Sequence, residues 1–255
     1  MTSVARVGAN LATLANAALG VGAILYVLAG NKLWAMLLIG CGVGFDGLDG
    51  LLSRRAGGPP SAVGRVLDSV ADAITFGLAP GALIAVHTEH ASLWAPWYPY
   101  TLLVGALVTG LALARLVYFT WRGWQRPHFV GASTPQNALA IVVLVLFFDA
   151  PAFLGTNPLL VLVAAALLAL LMIAPIPYPK LRRGMSLRWG MIGTAAALGV
   201  SIVPLQFVPA TGSALYWLGE LAAAAAAVGL AAYYALGPRA ARAQSASMNS
   251  GVMHG

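Results

Sequence analysis

Asp46, Asp49, Asp68 and Asp72 are four of the seven acidic residues in the chain, and all four fall within 27 positions. Asp46 and Asp49 are three apart, Asp68 and Asp72 four apart, so each pair lies on one face of its helix. Four convergent carboxylates repel one another unless cations sit between them. No Cys or His lies in the stretch, so the donors are oxygens alone, which suits the hard divalent ions Mg²⁺ or Mn²⁺ and disfavours zinc or copper. Ionisable groups in or beside membrane spans are costly and mark function by default. The rest of the chain makes that the relevant solvent.

Of its 255 residues 60% are hydrophobic and 8% charged, with a mean hydropathy of +0.85. These values imply an all-α, polytopic membrane helix bundle. Apolar runs predict about eight spans, near 9–28, 33–52, 64–88, 98–121, 136–150, 157–174, 189–207 and 213–236. The fifth and sixth are separated by Pro151 and the turn from Gly155 to Pro158. The first apolar segment, followed by seven more, reads as a retained helix rather than a cleaved signal. Residues 1–236 then form one integral membrane catalytic domain, and 237–255, which lack apolar periodicity, a disordered cytoplasmic tail.

Threading eight spans alternately puts Arg6, Arg54, Arg55, Arg65, Arg122, Arg126, Lys180, Arg182, Arg183, Arg188, Arg239 and Arg242 on one side and only Lys32 on the other. The positive-inside rule makes that side cytoplasmic, with both termini and the Asp cluster. The expected location is a bacterial-type cell membrane. The net charge of +7 reads as topology plus attraction to anionic lipid, and no nucleic-acid partner is expected. Trp94, Trp97, Tyr98 and Tyr100 at one end of the fourth span, and Trp121 and Trp124 at the other, match interfacial aromatic belts. Cys41 reads as a small buried residue; Gly40/Gly44 and Gly77/Gly81 are frames for close helix approach. His87, Glu89, His90 and His128 read as loop or surface residues, and Asp149 and Glu220 as single acids without a catalytic task. A cation transporter is the competing class, but nothing resembling the Asp motif recurs in the second half, as an inverted repeat would require.

The two Asp segments resemble the signature of the CDP-alcohol phosphotransferase family, D-x-x-D-G-x-x-A-R, then eight or nine residues, then G-x-x-x-D-x-x-x-D. Asp46, Asp49, Gly50, Arg54, Gly64, Asp68 and Asp72 are in register, and Ser53 stands where Ala is usual. The resemblance implies a six-helix core over most of the first 210 residues, two divalent ions, and homodimers, which are frequent in the family. It also implies the reaction: a CDP-linked donor, usually CDP-diacylglycerol, passes its phosphatidyl group to an alcohol and releases CMP. Carried onto this chain, Asp46, Asp49 and Asp68 hold the metals with Asp72 beside them. Asp72 takes the acceptor's proton, Asp49, Gly50, Ser53, Gly64 and Asp68 line the donor, and Arg54 supplies it with a cation. Arg55 and Arg65 either assist or are ordinary positive-inside charges.

The segment Asp68-Ser-Val-Ala-Asp72-Ala-Ile-Thr-Phe76-Gly77-Leu-Ala79-Pro80 resembles the serine-using branch of that family, as do Ala114-Arg115-Leu-Val-Tyr118-Phe119 and Phe129-Val-Gly131-Ala-Ser-Thr-Pro135. Departures fall at Tyr118, Thr120, Ser133, Gln136 and Asn137, so glycerol phosphate, inositol phosphate, inositol and choline stay open as acceptors. Arg115 lies inside a span among apolar neighbours, and such an Arg pairs with something anionic. One reading gives it the serine carboxylate; the other has it snorkel to the interface or pair with a motif Asp. Thr134, Gln136 and Asn137 can reach the same cavity, although Ser133 or Thr134 can equally serve as a helix cap.

Overall fold

The computed structural model describes residues 2–56, 62–86, 95–123, 129–149, 158–178 and 214–252. In order these form α1 (Thr2–Leu28), α2 (Lys32–Ala56), α3 (Ala62–Asp72), a π-helical stretch (Ala73–Leu78), α4 (Ala79–Val86) and α5 (Tyr98–Tyr118), which runs into a second π-helical stretch (Phe119–Gly123). Strand β1 (Phe129–Val130), α6 (Thr134–Asp149), α7 (Pro158–Ile173), β2 (Pro177–Tyr178) and α8 (Ala214–Val252) follow. Among the described residues five helices are long and apolar enough to cross a membrane: Val4–Leu28, Lys32–Ala56, Val63–Val86, Tyr98–Trp121 and Trp217–Ala243. Thr134–Leu146 and Pro158–Ile173 are shorter apolar helices. This is an all-α membrane bundle; the span expected at 189–207 lies outside the described residues.

Three sequence expectations need revision. Residues 237–252, expected as a disordered tail, continue α8. Strong helix formers follow Pro238 there (Ala240, Ala241, Ala243), and polarity without periodicity does not oppose helix formation. Cys41, expected to be buried, is exposed on α2. The Gly40/Gly44 frame likewise faces open space, whereas a side chain on Gly42 between them would meet Asn16 and Thr75. The face of α2 turned toward α1 and the π stretch is therefore the one bearing Gly42. The Gly77/Gly81 frame does pack closely: a Cβ on Gly81 would meet Thr109 and lie 2.7 Å from the Gly105 carbonyl oxygen of α5.

The core is where one would place it in a bundle. Central α6 buries nearly every side chain from Ala138 to Leu146, against Met36 and Ile39 of α2, Phe76 and Leu83 of the third span, and Val161, Ala165 and Ala169 of α7. Outward positions of α1, α5, α7 and α8 carry exposed Leu, Val and Tyr side chains, the surface of a helix whose solvent is lipid. Tyr98 and Tyr100 at one end of α5 and Trp121 beyond the other are exposed, and Trp97 packs on Tyr100. The His87/Glu89/His90 group, Trp94, Trp124 and His128 lie outside the described residues.

Two local devices position the site. The π stretch begins at the residue after Asp72. Its wider turn has the Ala79 amide donating to the Ile74 carbonyl, one residue further back than an α-helical bond, just before Pro80, which has no amide hydrogen to give. Thr109 Oγ donates to the Gly77 carbonyl at 3.2 Å, so that carbonyl is satisfied from α5. The second device is a strap. β1 and β2 pair antiparallel, Phe129 with Tyr178 and Val130 with Pro177. The Gly131 amide then donates to the Ile176 carbonyl and the Ala132 amide to the Leu171 carbonyl, both at 2.9 Å. This occupies a carbonyl left open at the end of α7. Gly131 has φ +75°, and a side chain there would collide with the Met172 carbonyl; only glycine meets both demands. The strap delivers Ser133 and Thr134 to the start of α6.

Candidate metal and acceptor site

Asp46 comes from α2, Asp68 and Asp72 from α3, and one carboxylate oxygen from each lies within 4.8 Å of the other two. Asp72 is buried, while Asp46 and Asp68 are half-buried. Asp49, one turn along α2 from Asp46, is buried beside this trio: its Oδ2 accepts a hydrogen bond from Thr13 Oγ at 2.8 Å, and its carboxyl stands in electrostatic reach of Asp68. Carboxylates gathered in this way repel one another, and a proton or a cation between them relieves it. Asp68 Oδ1 is buried with no hydrogen-bond partner among the described residues. A compact all-oxygen set with uncommitted lone pairs and mutual repulsion fits hard divalent cations.

The first helix contributes to the site, which its sequence did not signal. Asn16, fully buried, donates from Nδ2 to Asp72 Oδ1 at 3.2 Å, and Thr75 Oγ donates to the Asn16 backbone carbonyl at 2.8 Å. Thr13 and Asn16 are three apart on α1, within its long apolar run.

Arg54, in the last turn of α2, is exposed, and its guanidinium nitrogen Nη1 would lie 3.3 Å from a Cβ on Gly50. The missing side chain at 50 thus leaves room for Arg54, which also stands in electrostatic reach of Asp46. Ser53 on the same turn and Gly64 at the start of α3 are half-buried, and Arg55 is exposed. At this end of the bundle Ser69 and Thr120 hydroxyls are 2.7 Å apart, tying α3 to the end of α5.

Arg115 does not snorkel. It is 7% exposed, its Nη1 donates to Thr134 Oγ at 3.3 Å, and Tyr233, Asp72 and Tyr234 stand in electrostatic reach of it. Arg115 thus sits between the Asp cluster and the polar start of α6. Ser133 and Gln136 make half of a capping box: Gln136 Oε1 accepts from the Ser133 amide at 3.2 Å and is in contact with its hydroxyl. Gln136 therefore spends its carbonyl on the cap, and its side chain also meets Tyr233. Asn137, one turn on from Thr134, is fully buried, and neither its Oδ1 nor its Nδ2 has a partner among the described residues. Tyr178, Tyr233 and Tyr234, none singled out by sequence, cluster beside these groups.

A family model described as CDP-alcohol phosphatidyltransferase matches residues 6–175. The chain is 29% identical over 175 residues to a CDP-diacylglycerol–serine O-phosphatidyltransferase of Bacillus subtilis (strain 168), covering 67% of this chain and 89% of that one. It is also 29% identical over 175 residues to an archaetidylserine synthase of Methanothermobacter thermautotrophicus, covering 67% and 69%. A Helicobacter pylori (strain 26695) CDP-diacylglycerol–serine O-phosphatidyltransferase is 29% identical over 185 residues, covering 71% and 74%.

Proposed function

We propose that this chain, which belongs to the CDP-alcohol phosphatidyltransferase family, transfers the phosphatidyl group of CDP-diacylglycerol to the hydroxyl of L-serine and releases CMP. The observation that carries the serine assignment is Arg115, buried between Thr134 and the Asp cluster. A buried cation there pairs with the carboxylate of a small acceptor. The names of the relatives above point the same way.

In this reading Asp46, Asp49, Asp68 and Asp72 hold two divalent ions, Mg²⁺ or Mn²⁺. When bound, such ions neutralise charge on the pyrophosphate and on departing CMP. Gly50, Ser53, Arg54 and Gly64 line the donor, with Arg54 over Gly50 offering its fork to a phosphate. Arg115 orients serine by its carboxylate so that the hydroxyl faces phosphorus. The serine oxygen then bonds to phosphorus, the bond from phosphorus to the CMP oxygen breaks with its electron pair, and the hydroxyl proton passes to Asp72. Thr134 holds the Arg115 guanidinium, and Asn16 holds one oxygen of Asp72. The active site and both termini face the cytoplasm, in keeping with the arginines around the motif.

Purified protein with CDP-diacylglycerol, a divalent ion and a panel of serine, glycerol phosphate, inositol phosphate, inositol and choline tests the acceptor by the lipid formed. Arg115→Lys is expected to raise the KM for serine, because a point-charge ammonium does not reproduce the planar fork. Arg115→Ala should raise it about ten- to a hundredfold, the worth of a charge-assisted pair, with the KM for CDP-diacylglycerol scarcely moved. Equal damage to both substrates would place Arg115 in the donor site or the scaffold. A wild-type protein that consumed another alcohol and not serine would end the serine assignment.

Asn16→Leu gives a separate test of the Asp72 geometry. Loss of a hydrogen bond to a carboxylate costs about 1.5–3 kcal/mol, so kcat should fall about ten- to a hundredfold while both KM values stay near wild type. A kcat within twofold of wild type would show that Asp72 needs no hold from α1.

A further inference from the structure

Asp68 and Asp72 stand on α3 and Arg115 on α5, so the distance from the Asp cluster to the buried arginine follows from how those two helices lie against each other. Farther from the site, hydroxyls of α5 reach carbonyls of the third span: Thr101 Oγ donates to the Ala85 carbonyl and Thr109 Oγ to the Gly77 carbonyl, each at 3.2 Å. At the site end the tie joins two side chains. Thr120, in the π-helical stretch that continues α5, donates its hydroxyl hydrogen to the Leu116 carbonyl at 2.8 Å. A hydroxyl has a single hydrogen but can accept on its lone pairs, so across the 2.7 Å contact Ser69 is the donor and Thr120 the acceptor. Both residues are half-buried. The result is a directed chain from Ser69 to Thr120 to the Leu116 carbonyl, which begins at the residue after Asp68 and ends at the residue after Arg115.

Neither hydroxyl helps its own helix. A Thr hydroxyl bonded to the carbonyl four residues back tends to bend a helix rather than stabilise it, and Ser inside α3 is a weaker helix former than Ala. What the pair fixes is a spacing between elements. Thr120 is also one of the positions at which this chain departs from the serine-using branch. We propose that Ser69 and Thr120 are a positioning pair that sets the span between Asp72 and Arg115, and with it the length of acceptor that reaches from a carboxylate on Arg115 to a hydroxyl at Asp72. Neither side chain touches the reacting atoms in this role; each acts through the helix it holds. The inference rests on the reading of Arg115 as the acceptor's anchor and of Asp72 as the base.

The test uses the full-length protein in detergent with CDP-diacylglycerol and a divalent ion, and compares serine with homoserine, which is one methylene longer between carboxylate and hydroxyl. Thr120→Val keeps the branched side chain and removes its oxygen; Ser69→Ala removes the donor. In each variant the KM for serine should rise about fivefold, the worth of one neutral hydrogen bond. The inhibition constant of homoserine against serine should stay within twofold of wild type, so that the two acceptors are told apart less well. Manganese affinity and the KM for CDP-diacylglycerol should also stay within twofold, because the pair does not join α2 to α3. Partners that act only through each other are not additive, so the double variant should be no worse than Thr120→Val, and Thr120→Ser, which returns the hydroxyl, should restore the preference for serine. A serine KM within twofold of wild type in both single variants, an equal rise for both acceptors, or additive losses in the double variant overturns the inference while leaving serine as substrate. Wild-type protein that makes no serine lipid but uses another alcohol overturns the serine reading and this inference with it.

Discussion

Asp46→Asn is expected to abolish useful activity and metal binding together. Asp46, Asp68 and Asp72 bring oxygens within 4.8 Å of one another, and an amide in place of one carboxylate removes a negative charge from a site whose task is to hold cations. Charge stabilisation by a bound divalent ion is worth several kcal/mol, so a loss near 4 kcal/mol, about 10³-fold in turnover, is the expected scale. Asp68→Asn should behave alike, since Asp68 belongs to the same trio. Manganese binding followed by electron paramagnetic resonance on the folded variants supplies a readout independent of turnover. A folded Asp46→Asn protein that kept wild-type turnover in EDTA would show that the cluster holds no catalytic metal.

Asp72→Asn should lose about 10²–10⁴-fold in kcat, the usual contribution of a positioned general base, while CDP-diacylglycerol binding survives. Asp72 lies where that role requires it: buried, fastened by Asn16 at 3.2 Å and within reach of Arg115. Because it also belongs to the metal trio, donor binding must be measured beside turnover. A drop in kcat with unchanged donor affinity supports the base, whereas parallel loss of both makes Asp72 a metal ligand first. Activity within a few-fold of wild type would remove it from the chemistry altogether.

Much of this was determined by the chain on its own. An apolar helix satisfies its backbone internally and needs only length, so composition and run length sufficed to predict a membrane bundle. The Asp motif was equally legible, because i,i+3 and i,i+4 spacing is a local property of a helix. Arg115 stood out for the same reason, a charge where the solvent is lipid. What spacing cannot carry is contact between elements far apart in the chain. Thr13 and Asn16 look like two tolerated polar residues until α1 lies against Asp49 and Asp72. The face of α2 that packs inward had to be settled by its neighbours, so Gly42 and not the Gly40/Gly44 frame meets Thr75. Gln136 belongs partly to a cap, a distinction made by the few ångströms between its carbonyl and Ser133. Most of all, Tyr233 and Tyr234 reach Arg115 across more than a hundred residues of chain. Side-chain burial in a bundle depends on which helices become neighbours, and only the assembled tertiary structure decides that.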